Sequence, residues 1–322
     1  MTERSRRGRR RRQRRRLAGI LGASMVVLAA LVLLAIVSPS AFLSPSSEEA
    51  PVVRDEPTSS PETTPPPVEE QPEARIAIAG DTGMRNAAEE ATGKRMQIES
   101  EREGGPYDAL VILGDMIYPD GDADLTEASV NEPFANILDD AVLLPVLGNH
   151  DVQSGEGAEI MRRLGRDSGW YVERIGPVRF ITLDSNRVRD PRQMAWLRRE
   201  LAKEQEPGTW TVPVMHHPAY SAGHHGSTKS VQRRWLPLFE QADVRLTLAG
   251  HDHDYQRSIP LNGMTHVVSG GGAKLREAGR KDFTAVSESV FHYVDLLVYD
   301  DRLEGRAIDH DGNLVDEFTI KR

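Results

Sequence analysis

Short apolar runs, each followed at once by polar residues, recur along the second part of the chain. Five of them read ARIAIAG, YDALVILG, AVLLPVLG, TWTVPVM and DVRLTLAG. Runs of this length predict buried β-strands, and the stretches between them, such as PRQMAWLRRELAKEQ and SVQRRWLPLFEQA, have helical character. The alternation of strands and helices predicts an α/β layered domain.

Other segments add to this pattern. DTGMRNAAEEATGKRMQIESE predicts a helix after the first strand, and WYVERIGPVRFITLD predicts a β-hairpin. THVVSGG, FHYVDLLVYD and RLEGRAIDH predict strands after the fifth run. The segment SGGGAKLR, residues 269–276, is interpreted as a turn after a strand, and a place at the rim of a site is the alternative.

The start of the chain predicts a membrane anchor. Residues 1–16 contain ten arginines, and residues 17–37, LAGILGASMVVLAALVLLAIV, carry no charge. A helix of that length is about 31 Å long, which matches a bilayer core, and the arginines favour a cytoplasmic N-terminus. We therefore expect a single-pass cell-membrane protein with its following domain outside. Secretion after cleavage of a signal peptide is the alternative, although the apolar segment of a signal peptide is usually about 7–15 residues.

The rest of the chain, residues 38–322, divides by composition into two parts. Residues 38–74 are rich in Pro, Ser, Thr and Glu and predict a disordered linker, which leaves residues 75–322 as one domain. The chain has a formal net charge of -9 in spite of its arginine block, which argues against a nucleic-acid partner. The absence of cysteine excludes disulfides and thiolate metal sites, so any metal must use oxygen and nitrogen ligands.

Polar residues with metal-binding or catalytic chemistry follow the five predicted strands. They are Asp81, Asp115, Tyr118, Asn149, His150, His216, His251 and His253. Taken singly, each has a plain structural interpretation as a helix cap, a turn residue or a buried side chain. Because ligands bind outside the carboxyl ends of strands in α/β sheets, the whole set predicts one site.

The motifs GDTG, GDMIY, GNHD, MHHP and GHDH resemble the five motifs of the calcineurin-like metallophosphoesterase superfamily. Tyr118 in GDMIY, and Gly83 where many relatives have a metal-binding histidine, are similar to the purple acid phosphatase branch. HHPAYSAGHHG resembles the matching segment of the small, tartrate-resistant type. The resemblance spans about residues 76–253. It implies a layered β-sandwich flanked by helices, the metallophosphoesterase type of α/β fold.

The resemblance also implies a dinuclear metal centre with Asp115 as the bridging ligand. The first metal would be held by Asp81, Asp115, Tyr118 and His253, and the second by Asp115, Asn149, His216 and His251. Such ligands suit Fe(III) together with Fe(II), Zn or Mn. Pro213 departs from the family pattern, in which a valine precedes the fourth-motif ligand by three residues. If the pattern VxxH is applied literally the ligand would be His217, but the proline after the HH pair favours His216.

Hydrolysis of phosphomonoesters is the activity that the resemblance implies. Two metals make hydroxide available near neutral pH and clamp the phosphate oxygens. We expect His150 to serve the leaving oxygen and Asp151 either to orient His150 or to cap a turn. His225 matches the substrate-side histidine of the small acid phosphatases, and His224 and His217 are further candidates for contact with the substrate.

Two other functions remain as alternatives. A phosphodiester, such as a cyclic nucleotide, could be the substrate. The domain could also be a non-catalytic surface module that binds metal or phosphate, although that would predict damaged motifs and all of these positions are filled. Oligomeric state is not predicted.

Overall fold

The computed structural model describes residues 70–102 and 105–322. The predicted arginine-rich segment, the membrane-spanning segment 17–37 and the linker up to residue 69 lie outside the described residues. Among the described helices, none has the length and apolar character needed to cross a membrane. The described part belongs to one compact unit, Glu70–Arg322.

The described residues contain thirteen β-strands in two sheets. In chain order they are β1 (Ala74–Ala79), β2 (Ala109–Ile112), β3 (Val142–Pro145), β4 (Tyr171–Ile175), β5 (Val178–Leu183), β6 (Trp210–Met215), β7 (Leu246–Ala249), β8 (Tyr255–Ser258), β9 (Thr265–Ser269), β10 (Thr284–Glu288), β11 (His292–Val298), β12 (Arg302–Asp309) and β13 (Leu314–Lys321). The first sheet has the order β13-β12-β11-β1-β2-β3, and the second β10-β8-β9-β7-β6-β5-β4.

Each sheet has a parallel half and antiparallel strands. In the first sheet β1, β2 and β3 are parallel, and β11 pairs antiparallel with β1. In the second sheet β5, β6, β7 and β9 are parallel, while β4, β8 and β10 are antiparallel to their neighbours. The five apolar runs of the sequence are β1, β2, β3, β6 and β7. All of them belong to the parallel halves, where strands are buried on both faces and form continuous apolar runs.

Within the described residues, six α-helices cover the outer faces of the sheets. They are α1 (Ala87–Glu101), α2 (Ala135–Leu138), α3 (Gly157–Arg163), α4 (Pro191–Leu201), α5 (Lys229–Arg234) and α6 (Leu236–Gln241). Asn86 caps α1 by accepting hydrogen bonds from the backbone of Ala88 and Glu89, and Asp190 caps α4. The segment SVQRRWLPLFEQA forms two helices rather than one, because a proline at residue 237 can stand only in the first turn of a helix.

Three apolar clusters define the layers. Ile76 and Ile78 of β1 pack between the sheets with Val212 and Leu248, whereas Ala77 and Ala79 face the opposite side with Met96 of α1 and its neighbours. The third cluster lies between the second sheet and helices α4 to α6. The described domain therefore has the predicted architecture, a layered α/β fold in which two packed sheets carry helices on both outer faces.

Three strands were not predicted: β8, β10 and β13. The segment of β8, YQRS, is polar in sequence yet mostly buried. Its polar groups have partners, since Tyr255 donates a hydrogen bond to Asp316 of β13 at 2.6 Å and Arg257 forms an ion pair with the same carboxylate. Hydropathy cannot identify a strand whose burial depends on such pairing.

Candidate metal centre

The predicted site residues meet where the parallel strands of both sheets end. Asp81 follows β1, Asp115 follows β2 and Asn149 follows β3 in the first sheet, while His216 follows β6 and His251 follows β7 in the second. The two sheets thus deliver side chains from opposite sides to one place. The structure brings together all seven residues that the sequence proposes as metal ligands.

Two groups of metal-binding atoms share Asp115. In one group, atoms of Asp81, Asp115 and His253 lie within 4.8 Å of one another, and in the other, atoms of Asp115, His216 and His251 do so. Tyr118 joins the first group, since its Oη is 3.3 Å from Asp81 and 3.1 Å from Asp115. His216 Nε2 lies 3.1 Å from Asn149 Oδ1, so Asn149 joins the second.

Backbone amides of neighbouring loops hold both carboxylates. The amide of His251 donates to Asp81 Oδ2 at 2.8 Å, and the amide of His150 donates to Asp115 Oδ1 at 2.9 Å. Asp81, Asp115 and His251 themselves adopt positive φ values of 57°, 51° and 74°. Such values are uncommon outside glycine and concentrate at functional sites.

Two glycines leave room for this arrangement. A Cβ on residue 148 would lie 2.1 Å from Asp115 Oδ1, so only Gly148 allows that carboxylate its position. A Cβ on residue 83 would lie 1.8 Å from the carbonyl oxygen of Met116. A metal-binding histidine at position 83 is therefore sterically excluded here. The carbonyl oxygen of Gly83 accepts a hydrogen bond from the amide of Tyr118 at 3.0 Å.

The surroundings of His216 favour a bound cation. Its Nδ1 lies 2.8 Å from the carbonyl oxygen of Leu113, which can only accept, so Nδ1 carries the hydrogen and Nε2 faces the centre. There Nε2 meets Asn149 Oδ1 and, at 3.4 Å, Asp115 Oδ2, which are both acceptors. Burial lowers the pKa of His216, but the adjacent Asp115 outweighs it and raises the pKa to about 10. This pocket stabilises positive charge at Nε2.

The first group shows the same excess of acceptors. The phenol of Tyr118 has one hydrogen, yet the carboxylates of Asp81 and Asp115 both lie within hydrogen-bond distance of its oxygen, and His253 Nε2 lies 3.4 Å from it. Burial and the two carboxylates raise the pKa of Tyr118 above its usual value. Burial and the positive charges of Lys274 and Arg276 lower the pKa of His253 to about 3, so this imidazole is neutral. Carboxylates, a phenol and neutral imidazoles fit metal ions that prefer oxygen and nitrogen ligands.

One prediction required Asp151 to contact and orient His150, and the two side chains do not contact each other. The ring of His150 is half-buried, and its Nδ1 faces the carbonyl oxygen of Pro119. The carboxylate of Asp151 accepts hydrogen bonds from the amides of Ile117, at 2.9 Å, and Gly148, at 2.7 Å. Asp151 therefore connects the loops that follow β2 and β3, which corresponds to the alternative prediction of a residue that stabilises a turn.

The other histidines separate into two environments. His217 Nδ1 lies 2.8 Å from Ser185 Oγ, and its ring centroid lies 4.5 Å from that of His251. His216, at 3.4 Å from Asp115, is the residue of the pair that faces the carboxylates. His225 is exposed, and its ring centroid lies 4.3 Å from that of His251. His224 is exposed beside it, with ring centroids 4.9 Å apart. His225 thus lies at the centre, and His224 lies next to it.

Asp252 was not predicted from the sequence, although it lies between His251 and His253. It is fully buried and accepts hydrogen bonds from the amide of His225, at 2.6 Å, the amide of residue 226, at 3.2 Å, and the hydroxyl of Ser221. One carboxylate therefore fixes the loop that carries His225 against the loop that carries His251 and His253. Its position inside the GHDH motif was the available signal.

Lys274 and Arg276 were also not predicted. Both belong to the segment SGGGAKLR and are half-buried. The amide of Arg276 donates to the carbonyl oxygen of His253 at 2.9 Å, and Lys274 Nζ lies 5.7 Å from the centroid of the Tyr118 ring. The alternative prediction for this segment, a place at the rim of the site, agrees with these contacts.

Comparisons with known proteins agree with this geometry. Residues 74–255 match the family model described as calcineurin-like phosphoesterase. Purple acid phosphatase 3 of Arabidopsis thaliana is 27% identical over 249 residues, which cover 67% of this chain and 68% of that protein. Tartrate-resistant acid phosphatase type 5 of Mus musculus is 26% identical over 242 residues, which cover 62% of this chain and 73% of that protein.

Solved structures share the fold. Purple acid phosphatase PPD1 from yellow lupin (Lupinus luteus) seeds superposes with a TM-score of 0.66 at 21% identity. The match covers 77% of this chain, and the chain spans 54% of the lupin chain.

The family match spans more than half of the chain and contains all seven residues of the two groups. The chain therefore belongs to the calcineurin-like phosphoesterase family, whose members are metal-dependent phosphoesterases. Within that family it is purple-acid-phosphatase-like, because its relatives of that kind match over most of the described domain.

Replacement of Asp252 by asparagine is expected to impair the loop that carries His225. The neutral side chain keeps one acceptor oxygen for three donors, and the loss of a hydrogen bond to a charged group costs about 1.5–3 kcal/mol. We expect kcat/KM for nitrophenyl phosphate to fall about 10-fold or more.

A double-mutant cycle with His225→Ala separates this effect from general damage to the fold. If Asp252 acts through His225, D252N has little further effect in the H225A background. Additive losses, or a lower metal content in D252N, would contradict the assignment.

Proposed function

We propose that this protein hydrolyses phosphomonoesters at the outer face of the cell membrane through a dinuclear metal centre. The observation that carries the proposal is the sharing of Asp115 by two groups of buried metal-binding side chains. A carboxylate common to two metals is typical of enzymes that clamp both the attacking and the leaving oxygen of a phosphate ester. The names of the relatives, purple acid phosphatase and tartrate-resistant acid phosphatase, support the monoester class.

In this proposal each metal has four ligands from the chain. One metal is held by Asp81, Asp115, Tyr118 and His253, and the other by Asp115, Asn149, His216 and His251. The oxygen-rich set with the phenol suits Fe(III), and the set with two imidazoles and an amide suits Fe(II), Zn or Mn. When bound, the two ions supply Lewis-acid activation of water and of the phosphate oxygens.

His150 is proposed to serve the leaving oxygen. Its Nδ1 faces the carbonyl oxygen of Pro119, which can only accept, so Nδ1 carries a hydrogen and Nε2 is the atom that exchanges a proton. As the bond from phosphorus to the leaving oxygen breaks, that oxygen keeps the electron pair and takes the proton from Nε2. Contact with the ring of Tyr118, at 4.4 Å between centroids, keeps His150 beside the centre.

His225 and His224 are proposed to bind the phosphate. Both are exposed, His225 at the centre and His224 beside it, as groups that meet a substrate from solution must be. The loop of His225 is held by Asp252, so its ring is positioned before the substrate arrives. Asp151 acts indirectly in this proposal, because it holds the loops that carry Tyr118 and Asn149.

The central test is the replacement of Asp115 by asparagine in the full-length protein, loaded with iron and with zinc or manganese. Disturbing only the groups that orient metal ligands costs about 10–100-fold in activity, so loss of the shared ligand itself is expected to lower kcat on nitrophenyl phosphate by at least about 100-fold. Asp124→Asn is the matched control, because Asp124 is an exposed carboxylate paired with Arg163.

The same assay separates the alternative functions. Faster hydrolysis of bis-nitrophenyl phosphate than of nitrophenyl phosphate by the wild type would replace the monoester proposal with a phosphodiesterase. No hydrolysis of either compound with both metals bound would leave a non-catalytic module that binds metal or phosphate.

Tyr118 gives a test of metal identity. Ferric iron bound to a phenolate oxygen is expected to produce a visible charge-transfer band, since the phenolate can donate electron density to Fe(III). Tyr118→Phe is expected to remove the band, whereas Tyr220→Phe, which changes a tyrosine packed on His266, is expected to keep it. An active but colourless wild type with Zn or Mn would exclude Fe(III).

The membrane location is proposed from the sequence of residues 1–37. Cell fractionation is expected to recover the full-length protein with membranes, because an uncharged 21-residue segment follows the arginine block. A protein in the medium whose N-terminus begins near Phe42 would instead show that a signal peptide is cleaved.

A further inference from the structure

We propose that Lys274 and Arg276 form a second anion-binding site beside the metal centre, which binds a second phosphate group carried by the substrate. The inference rests on the proposed function, the hydrolysis of a terminal phosphate at the metal centre, and concerns the substrates that this site prefers. The substrate class is a phosphate anhydride or ester in which another phosphate lies close to the phosphate that is hydrolysed.

The loop that carries both residues is fixed against the metal centre. It joins β9 to β10, and the amide of Gly272 donates to the carbonyl oxygen of Gly80 at 3.1 Å. A Cβ on residue 272 would lie 2.6 Å from that oxygen, so the approach requires glycine. The amide of Arg276 donates to the carbonyl oxygen of His253. The loop is therefore attached to the segments that carry Asp81 and His253.

Lys274 places an ammonium group next to the proposed ligands but not among them. Nζ lies 5.7 Å from the centroid of the Tyr118 ring, and the side chain is half-buried. Lys274 forms no ion pair with any residue in the described parts of the chain. An ammonium group without an ion-pair partner remains able to bind an anion.

Arg276 provides a donor without an acceptor. Its Nε is buried and has no hydrogen-bond partner among the described residues. Two other half-buried arginines are paired at short range, Arg257 with Asp316 and Arg166 with Glu173, both at 2.6 Å. A buried donor without a partner is unfavourable, and an anionic ligand would supply the acceptor that it lacks.

The two cations match a phosphate group better than a neutral leaving group. A guanidinium offers donors in a fork that fits two phosphate oxygens, and an ammonium adds a point charge. The metal centre would neutralise the phosphate that is attacked, so a substrate with a neutral alcohol leaves Lys274 and Arg276 without partners. A neighbouring phosphate would give both side chains an anionic partner.

With ADP as the substrate the step balances without any further reactant. The oxygen of water bonds to the terminal phosphorus, and the bond from that phosphorus to the bridging oxygen breaks. The bridging oxygen keeps the electron pair and leaves as part of AMP, whose phosphate stays against Lys274 and Arg276. The two protons of water are shared among solvent and the phosphate products.

The test compares substrates that differ by one phosphate, in the metal-loaded full-length protein. The pairs are ADP against AMP for an anhydride and propanediol bisphosphate against propyl phosphate for an ester. Lys274→Met is expected to lower kcat/KM for the doubly phosphorylated compound of at least one pair about 10-fold more than for its partner, because one charge-assisted contact is lost. Intrinsic leaving-group reactivity is the same for both proteins and cancels in this comparison.

Matched variants separate a specific loss of anion binding from a general effect of losing a lysine. Lys203→Met removes a lysine paired with Glu200 on the surface and is expected to leave every rate unchanged. Lys274→Arg keeps the charge and is expected to keep the preference, and Arg276→Met is expected to weaken it as K274M does. If K274M does not fold, R276M alone decides.

Equal losses on both members of each pair, or no loss on either, would overturn the inference. If K274M loses only the preference for ADP over AMP, the substrate class is an anhydride. If it loses only the preference for propanediol bisphosphate over propyl phosphate, the substrate class is an ester. If the wild type hydrolyses neither these compounds nor nitrophenyl phosphate, the proposed function fails. Calorimetric binding of pyrophosphate and of inorganic phosphate to wild type and K274M then tests the site, and equal affinities of both proteins for pyrophosphate would refute it.

Discussion

The structure depends on a concentration of acceptor atoms around the carboxylate of Asp115. Carboxylate oxygens, a phenol, a carboxamide oxygen and imidazole nitrogens face one another in a buried space. Buried acceptors without donors are strongly unfavourable, so this arrangement requires positive charge among them. The raised pKa of His216 expresses the same requirement. The pocket is thus complementary to cations before any substrate is considered.

Two packed sheets make such a concentration possible. Apolar side chains between the sheets, such as Ile76 and Leu248, fix the separation of their parallel halves. The carboxyl ends of those halves then present their loops to one another, and residues more than 100 positions apart in the sequence become neighbours. The loops of His225 and of Lys274 also pack on the same centre.

The features of this fold and site that the sequence predicts are those with a local signal in the chain. The apolar runs predicted the parallel strands, and the polar residues at their ends predicted the site, because both signals are local. β8 could not be recognised, because its burial depends on Asp316 from a distant strand. The roles of Asp151 and Asp252 could not be predicted from the sequence either, because their carboxylates bind backbone amides of loops that only the fold brings together. The position of Lys274 and Arg276 beside the centre could not be predicted either, because it depends on the close approach of Gly272 to Gly80.

The amide contacts to the two carboxylates have a consequence for how the centre tolerates change. Asp81, from the first sheet, is held by the amide of His251 from the second, and Asp115 is held by the amide of His150, which follows the next strand. Each carboxylate is thus oriented by main chain from a loop that also carries, or adjoins, another ligand. A displacement of one loop is transmitted to a ligand on a different strand without passing through any metal. The ligand geometry is therefore a property of the interlocked main chain, and side-chain identity alone does not preserve it.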